Sequence, residues 1–328
     1  MTKRWLCTLM SVAMIASLGA GTVCSAEEDN TFIVGFDAEY PPYGYMDDNG
    51  EYTGFDLELA QAVCDLYGWE LEKRPIDWDS KDMELNSGAI DCIWNGFTMN
   101  GREEEYTWSV PYVDNSQVIV VSEASGIADL EGLSGKIVGV QAASAALELL
   151  SEGGDQAALA ATFGTLQQFP EYNSAFVELQ AGSIDAIAMD VGVANYQLKE
   201  KEGYTILDET LNSEQYAIGF KQGNEELRDL VNDALATLLE DGTFDELAEK
   251  YELTDMVCLA EELGVDTGAA EEAETEAAEA DTEAEEAETE AAEADTEAEE
   301  AETEAAEADT EAEEAETEAA EAETEAAE

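Results

Sequence analysis

The sequence predicts an α/β fold built as two similar lobes, and three observations carry that expectation. Leu85, Gly88, Ile90, Asp91 and Ile93 recur 94 residues later as Leu179, Gly182, Ile184, Asp185 and Ile187, so the pattern L-x-x-G-x-I-D-x-I is used twice. Apolar strand-like runs alternate with helical stretches across residues 27–268, the order in which α/β domains are built. In each copy of the repeat a helix end breaks at glycine before a short apolar strand, which in an open α/β sheet delivers the next residues to a ligand crevice. Those residues are Trp94, Asn95 and Gly96 in one copy and Ala188, Met189 and Asp190 in the other. Two such lobes facing each other describe a clamp for a small molecule and favour binding over catalysis.

The elements follow in chain order. Lys3 and Arg4 precede an uncharged apolar run from Trp5 to Ala20, which reads as an export signal over residues 1–26 and is too short for a stable membrane span. Cys24-Ser25-Ala26 resembles a small-residue cleavage site, whereas Gly21 to Cys24 resembles a lipoprotein site that would acylate Cys24. Strand one is Thr31 to Phe36. A helix after Gly54 places Leu59, Val63 and Leu66 on one face and stops at Gly68. A helix over Lys81 to Ser87 leads to the first Ile-Asp strand. The β-branched run Ser116 to Val121 crosses into a second lobe, where Lys136 to Val140 is a strand and Ser144 caps a helix from Ala145 to Leu150. The second Ile-Asp strand follows. Tyr216 to Phe220 returns as a strand, and a long amphipathic helix carrying Leu227, Val231, Leu235 and Leu239 ends at Asp241-Gly242. A last helix bears Phe244, Leu247 and Tyr251. The lobes are therefore expected at 27–120 with 215–263, and at 121–214, joined by hinge crossings near 117–122 and 214–220.

Composition narrows the function. The chain has no histidine, which removes imidazole ligands and the usual Ser-His and Cys-His nucleophile pairs. No cofactor or metal motif is present. Without the signal, Cys64, Cys92 and Cys258 remain; a Cys64 to Cys92 bridge and buried free thiols are the two readings. Residues 269–328 contain only Ala, Glu, Thr and Asp, with 29 acids and a 14-residue repeat from Ala273, and read as a solvated, disordered acidic tail with no core to bury. Residues 27–268 still hold 51 acids against 10 bases, a net charge of −41. Nucleic acid and anionic lipid are disfavoured as partners.

Asp37-Ala-Glu-Tyr40-Pro-Pro-Tyr43, Gly54-Phe-Asp-Leu-Glu-Leu59, Asn95-Gly-Phe-Thr98, Ser109-Val-Pro-Tyr112, Gly139-Val-Gln-Ala-Ala-Ser144, Asp190 and Asp241-Gly-Thr-Phe244 occur in that order. This series resembles the polar amino-acid-binding proteins of bacterial ABC importers, solute-binding family 3, over residues 31 to about 252. The resemblance implies a type II, periplasmic-binding-protein-like clamp that acts as a monomer, captures a free amino acid outside the cell and delivers it to a membrane permease. Association with the membrane would come through that permease or through lipid on Cys24.

An α-amino acid presents a carboxylate and an ammonium on one carbon, so its pocket needs a cation with donors for one and carboxylate oxygens for the other. Arg102 lies just after the first crevice-edge segment Asn95-Gly96, where its guanidinium is expected to grip the carboxylate with the Thr98 hydroxyl and the Ser144 helix start. Asp190 matches the family position that holds the ammonium. Tyr40 and Trp78 fall where the family places aromatics around the ligand side chain, with Tyr43 a third candidate in that wall. Asp37 is placed to meet a polar or cationic side-chain end. Two departures stand out: the family usually has one more residue between the Thr98 and Arg102 positions, and Ala143 replaces a common glycine. The plainer readings are that Arg102 joins Glu103 to Glu105 in a surface ion-pair cluster, that Asp190 is a helix cap, and that Trp94 and Phe97 are core or cleft wall. Asp91 and Asp185 read as structural. Rival functions are an enzyme, since the family's fold also hosts a dehydratase and a transglycosylase, and an envelope sensor or scaffold with a cation-binding tail.

Overall fold

The computed structural model describes residues 30–199 and 201–265. The expected export signal, its cleavage site and the acidic segment 269–328 lie outside the described residues. The strands and helices up to Glu262 belong to one compact unit. It contains two five-stranded sheets on one plan. The first runs in the order Glu70–Pro75, Thr31–Phe36, Cys92–Ile93, Gly219–Phe220, Thr107–Trp108, and the second Thr165–Phe169, Ile137–Gln141, Ala186–Asp190, Gln117–Ser122, Tyr204–Ile206. In each sheet the first three strands are parallel and the fourth enters antiparallel.

The sequence repeat is a structural repeat down to single atoms. Asp91 Oδ2 accepts the backbone N–H of Ile33 at 2.8 Å, and Asp185 Oδ2 accepts that of Ile137, also at 2.8 Å. Each aspartate thus ties the edge of its strand to the strand alongside, which is the structural role expected of both. Gly35 and Gly139 are the matching close approaches. A Cβ on Gly35 would fall 2.4 Å from Ile90 Cδ1, and one on Gly139 would fall 2.7 Å from Ile184 Cδ1. The repeated isoleucine therefore packs straight onto the backbone of the neighbouring strand, and only glycine leaves it room.

Helices cover the sheets as their patterns require. Phe55–Tyr67 ends at Gly68 in the left-handed conformation and buries Phe55, Leu57, Leu59, Ala60, Val63 and Cys64. Leu66, expected on that face, is exposed in the last turn, and Leu57 and Cys64 complete the buried stripe. Lys81–Ser87 and Ala145–Leu150 form where expected, the latter with Ser144 Oγ accepting the Leu147 N–H at 3.1 Å. Glu225–Glu240 buries Val231, Ala234, Leu235, Leu238 and Leu239, and Thr243–Lys250 follows. No described helix is long and apolar enough to cross a membrane. Cys64, Cys92 and Cys258 are free and buried, and burial pushes the Cys64 thiol up to about 12, which keeps it an inert packing group.

The hinge differs from the expected one in detail. Its paired strands are Val113–Asn115 and Glu214–Tyr216, antiparallel. Gln117–Ser122 already pairs within the second sheet, so the first crossing comes earlier than the β-branched run suggested. The return over Tyr216 to Phe220 is also two strands, because the chain must leave the hinge at Tyr216 and enter the first sheet at Gly219, where a Cβ would fall 2.8 Å from Phe97 Cε1.

Candidate functional site

The parallel strands of both sheets point their carboxyl ends at one interlobe cleft, the position in which open α/β sheets bind ligands. Asp37 follows the strand Thr31–Phe36, Asn95 and Gly96 follow Cys92–Ile93, Ser144 follows Ile137–Gln141, and Asp190 closes Ala186–Asp190. Together with Tyr40, Trp78, Phe97, Thr98, Arg102, Gln141 and Ala145 they line one tight pocket between the lobes. Every residue expected to contact the ligand lies on that wall except Tyr43, whereas Trp94, Ala188 and Met189, also expected at the crevice edge, are fully buried. Tyr43 is fully buried behind it, with its ring edge-on to Tyr216 at 5.2 Å.

Arg102 supplies the positive end. Its side chain is 4 % exposed, its guanidinium lies over the Phe97 ring at 5.3 Å, and its Nη1 donates to the Thr98 carbonyl at 3.2 Å. It is therefore not part of a surface cluster with Glu103 to Glu105. Its Nε and Nη2 face Glu148 Oε1 of the second lobe at 3.2 and 2.7 Å, so a single carboxylate oxygen takes one edge of the fork and the Nη1/Nη2 end remains for a ligand.

Asp190 supplies the negative end. Its Oδ1 accepts from Gln117 Nε2 at 2.6 Å, the Tyr216 hydroxyl at 2.7 Å and Asn115 Nδ2 at 3.0 Å, while Oδ2 accepts the Tyr172 hydroxyl at 3.3 Å. A carboxylate has about four lone-pair directions, so Oδ2 keeps room for an ammonium. Asp190 also occupies the N-cap position of the helix Val191–Leu198, but its side chain makes no capping bond there.

Asp37 stands between the inner cavity and a larger outer cleft lined also by Ala38, Glu39, Asp77, Trp78 and Glu171. It accepts from Gln141 Nε2 across the cleft at 2.7 Å and from the Glu39 N–H at 2.9 Å. Burial pushes its carboxyl up to about 6 against those hydrogen bonds. Its Coulombic neighbours are the carboxylates Glu39 and Glu171, and no described lysine or arginine forms an ion pair with it.

Gly96 is held at φ 55°, donates its N–H to Asp56 Oδ2 at 2.6 Å, and a Cβ there would lie 3.0 Å from the rings of both Tyr40 and Tyr216. Asn95 Oδ1 accepts the Asp37 N–H at 2.7 Å, which fixes its amide so that the buried Nδ2 has no acceptor among the described residues and is left to the cavity. Trp78 stands edge-on to Phe97 at 5.5 Å, and both line the wall, whereas Trp94 is fully buried core. The Thr98 hydroxyl donates to Glu214 Oε1 at 2.8 Å, and the Ser144 hydroxyl donates to the Gln141 carbonyl at 2.8 Å. Neither hydroxyl proton is available to the ligand in this arrangement, so the Thr98 hydroxyl expected in the carboxylate grip is engaged by Glu214, while Ser144 keeps the helix-start N–H expected of it.

Sequence reasoning missed Lys81, Asn115, Gln117, Gln141, Glu148, Tyr172, Glu214 and Tyr216. Glu214 is buried and shares Asn115 and Gln117 as donors with Asp190; burial and the Asp190 charge raise its carboxyl. The available signal was placement, since Asn115, Gln117, Glu214 and Tyr216 sit on or beside the hinge strands. Nothing in one sequence says that a hinge polar residue turns towards the cleft.

A clamp whose two lobes present Arg102 and Asp190 to one interlobe pocket is the architecture of a solute-binding protein. The chain belongs to the bacterial extracellular solute-binding proteins, family 3, whose profile matches residues 32–254. It is 28% identical over 259 residues to the L-cystine-binding protein TcyJ of Escherichia coli (strain K12), covering 76% of this chain and 95% of that one. It is 30% identical over 257 residues to the arginine-binding extracellular protein ArtP of Bacillus subtilis (strain 168), covering 76% and 98%. Among solved structures, an ancestral arginine-binding protein bound to arginine is 36% identical with a TM-score of 0.62, covering 68% of this chain and 98% of that chain.

Proposed function

We propose that this chain captures a free amino acid outside the cytoplasm, favouring one with a cationic side chain, and delivers it unaltered to the permease of an ABC importer. The observation that carries the reading is the pairing of Arg102 and Asp190 on one enclosed wall, a cation and a carboxylate set to receive the two charges of an α-amino acid. The side-chain preference rests on Asp37, a buried carboxylate with amide and backbone partners but no ion pair among the described residues, whose charge a ligand ammonium or guanidinium would balance. Arginine-, cystine- and histidine-binding relatives support the class of ligand.

Equilibrium dialysis against the twenty amino acids, followed by mass analysis of what is recovered, tests this. L-arginine or L-lysine should be retained and come back chemically intact. Retention of only neutral amino acids would remove Asp37 from the side-chain role, and conversion of the retained compound to product would replace the transport reading with an enzymatic one.

A further inference from the structure

We infer that Lys81 is a positioning residue that turns the Ala143–Ser144 peptide towards the ligand carboxylate when the lobes close. Lys81 opens the helix Lys81–Ser87 of the first lobe, yet it is only 5% exposed. Its Nζ lies 3.2 Å from the carbonyl of Ala143 in the second lobe, 3.5 Å from the Trp78 carbonyl and 5.2 Å above the Trp78 ring. No carboxylate is within ion-pair distance among the described residues. A buried ammonium held mainly by carbonyls carries a desolvation cost that those hydrogen bonds must offset. The Ala143 carbonyl is reached only across the closed cleft.

The partner residue is unusual in the same place. Ala143 sits at φ 53°, in the left-handed region that a residue with a Cβ adopts at a cost of about 1–2 kcal/mol. The peptide that follows is trans, so its N–H leaves on the side opposite the carbonyl that Lys81 holds. That N–H belongs to Ser144, which lines the cavity, and it donates to no acceptor among the described residues. Lys81 therefore pulls the carbonyl outward, and the freed N–H is left for an anion beside Arg102. Glycine at this position would need no such hold, because it enters the left-handed region freely. The inference rests on the amino-acid reading above, since it supplies the carboxylate.

A double-mutant cycle of Lys81→Met and Ala143→Gly, read by calorimetry with L-arginine, tests it. Lys81→Met should weaken L-arginine about tenfold in the Ala143 protein but about threefold or less in the Ala143→Gly protein, because glycine no longer needs the clamp. Within each background the thermal midpoint of the Lys81→Met protein without ligand should stay close to that of its parent, which separates positioning from a folding defect. Equal losses in both backgrounds would reduce Lys81 to a general positive charge, and no loss in either would overturn the inference. Small-angle scattering of the ligand-free proteins keeps the test independent of the ligand assignment: Lys81→Met should shift the population towards a more open cleft, and an unchanged profile counts against the clamp. Failure of the unmodified protein to bind L-arginine would instead count against the cationic-ligand reading.

Discussion

In the proposed function Arg102 and Asp190 carry the recognition chemistry, and their surroundings say what their loss would do. Each lines the interlobe pocket where it would face one ligand charge, so Arg102→Ala or Asp190→Asn would leave that charge without its partner. Either change should weaken L-arginine by a few kcal/mol, roughly a hundredfold or more; calorimetry returning less than a tenfold loss would take that residue out of the site. Asp37 makes a second, signed prediction. Its carboxyl sits near 6 because burial penalises the charge, and a ligand cation beside it would lower it again. Binding of L-arginine between pH 5 and 7 should therefore release protons and tighten as pH rises, while L-glutamine, which brings no cation, should not tighten. Calorimetry in two buffers of different ionisation enthalpy reads both, and matching pH trends for the two amino acids would show that Asp37 meets no cation.

At the scale of elements, the repeat explains why two lobes of divergent sequence keep one geometry. Glycine, isoleucine and aspartate act as a unit in each copy: the glycine admits the isoleucine to the neighbouring strand, and the aspartate ties the strands together. Gly35→Ala should destabilise by about 1–3 kcal/mol through overpacking, since its Cβ would meet Ile90 Cδ1. Ile90→Val deletes that atom, so the double variant should lose clearly less than the sum of the two single changes; strict additivity in denaturant midpoints would contradict the close approach. The repeat was legible in the sequence because aspartate and glycine at fixed spacing stand out from an apolar run. Helix ends at Gly68 and Gly88 and the cap at Ser144 were legible for the same reason, as local chemistry. The hinge was read late because strand propensity in Gln117 to Ser122 does not say which sheet the strand joins. Lys81, Gln141 and Glu148 were invisible, since each takes its role from a residue far away in sequence on the opposite lobe. Tyr43 was misplaced by one layer, because tyrosines at 40 and 43 look alike until Gly96 brings the Tyr40 ring to the wall.

At the scale of the whole molecule two opposed contributions to the pH dependence of stability meet, the buried Asp37 and Asp56 against the surface Asp47 and Asp241, whose hydrogen bonds hold their carboxyls below the usual range. Asp37 and Asp56 are both buried with carboxyls raised by burial, to about 6 and about 7. The folded state then holds protons between pH 4 and 7 that the unfolded chain has released, so this stabilising contribution is complete at the acid end and is lost as pH rises through the folded values. The strongly acidic net charge acts in the same direction, because self-repulsion in the compact state eases as carboxylates take up protons. Ligand-free protein should accordingly melt at a higher temperature at pH 5 than at pH 8, the opposite of ordinary acid destabilisation. A ligand spanning both lobes adds to this by binding only the native, closed form, about 4 kcal/mol at a thousand times its dissociation constant. For L-arginine that increment should grow from pH 5 to pH 8, because its cation lets Asp37 ionise inside the cleft. Melting curves across that range, with and without L-arginine, should therefore draw together as pH falls; curves that stay parallel would mean that the ligand leaves Asp37 as it found it.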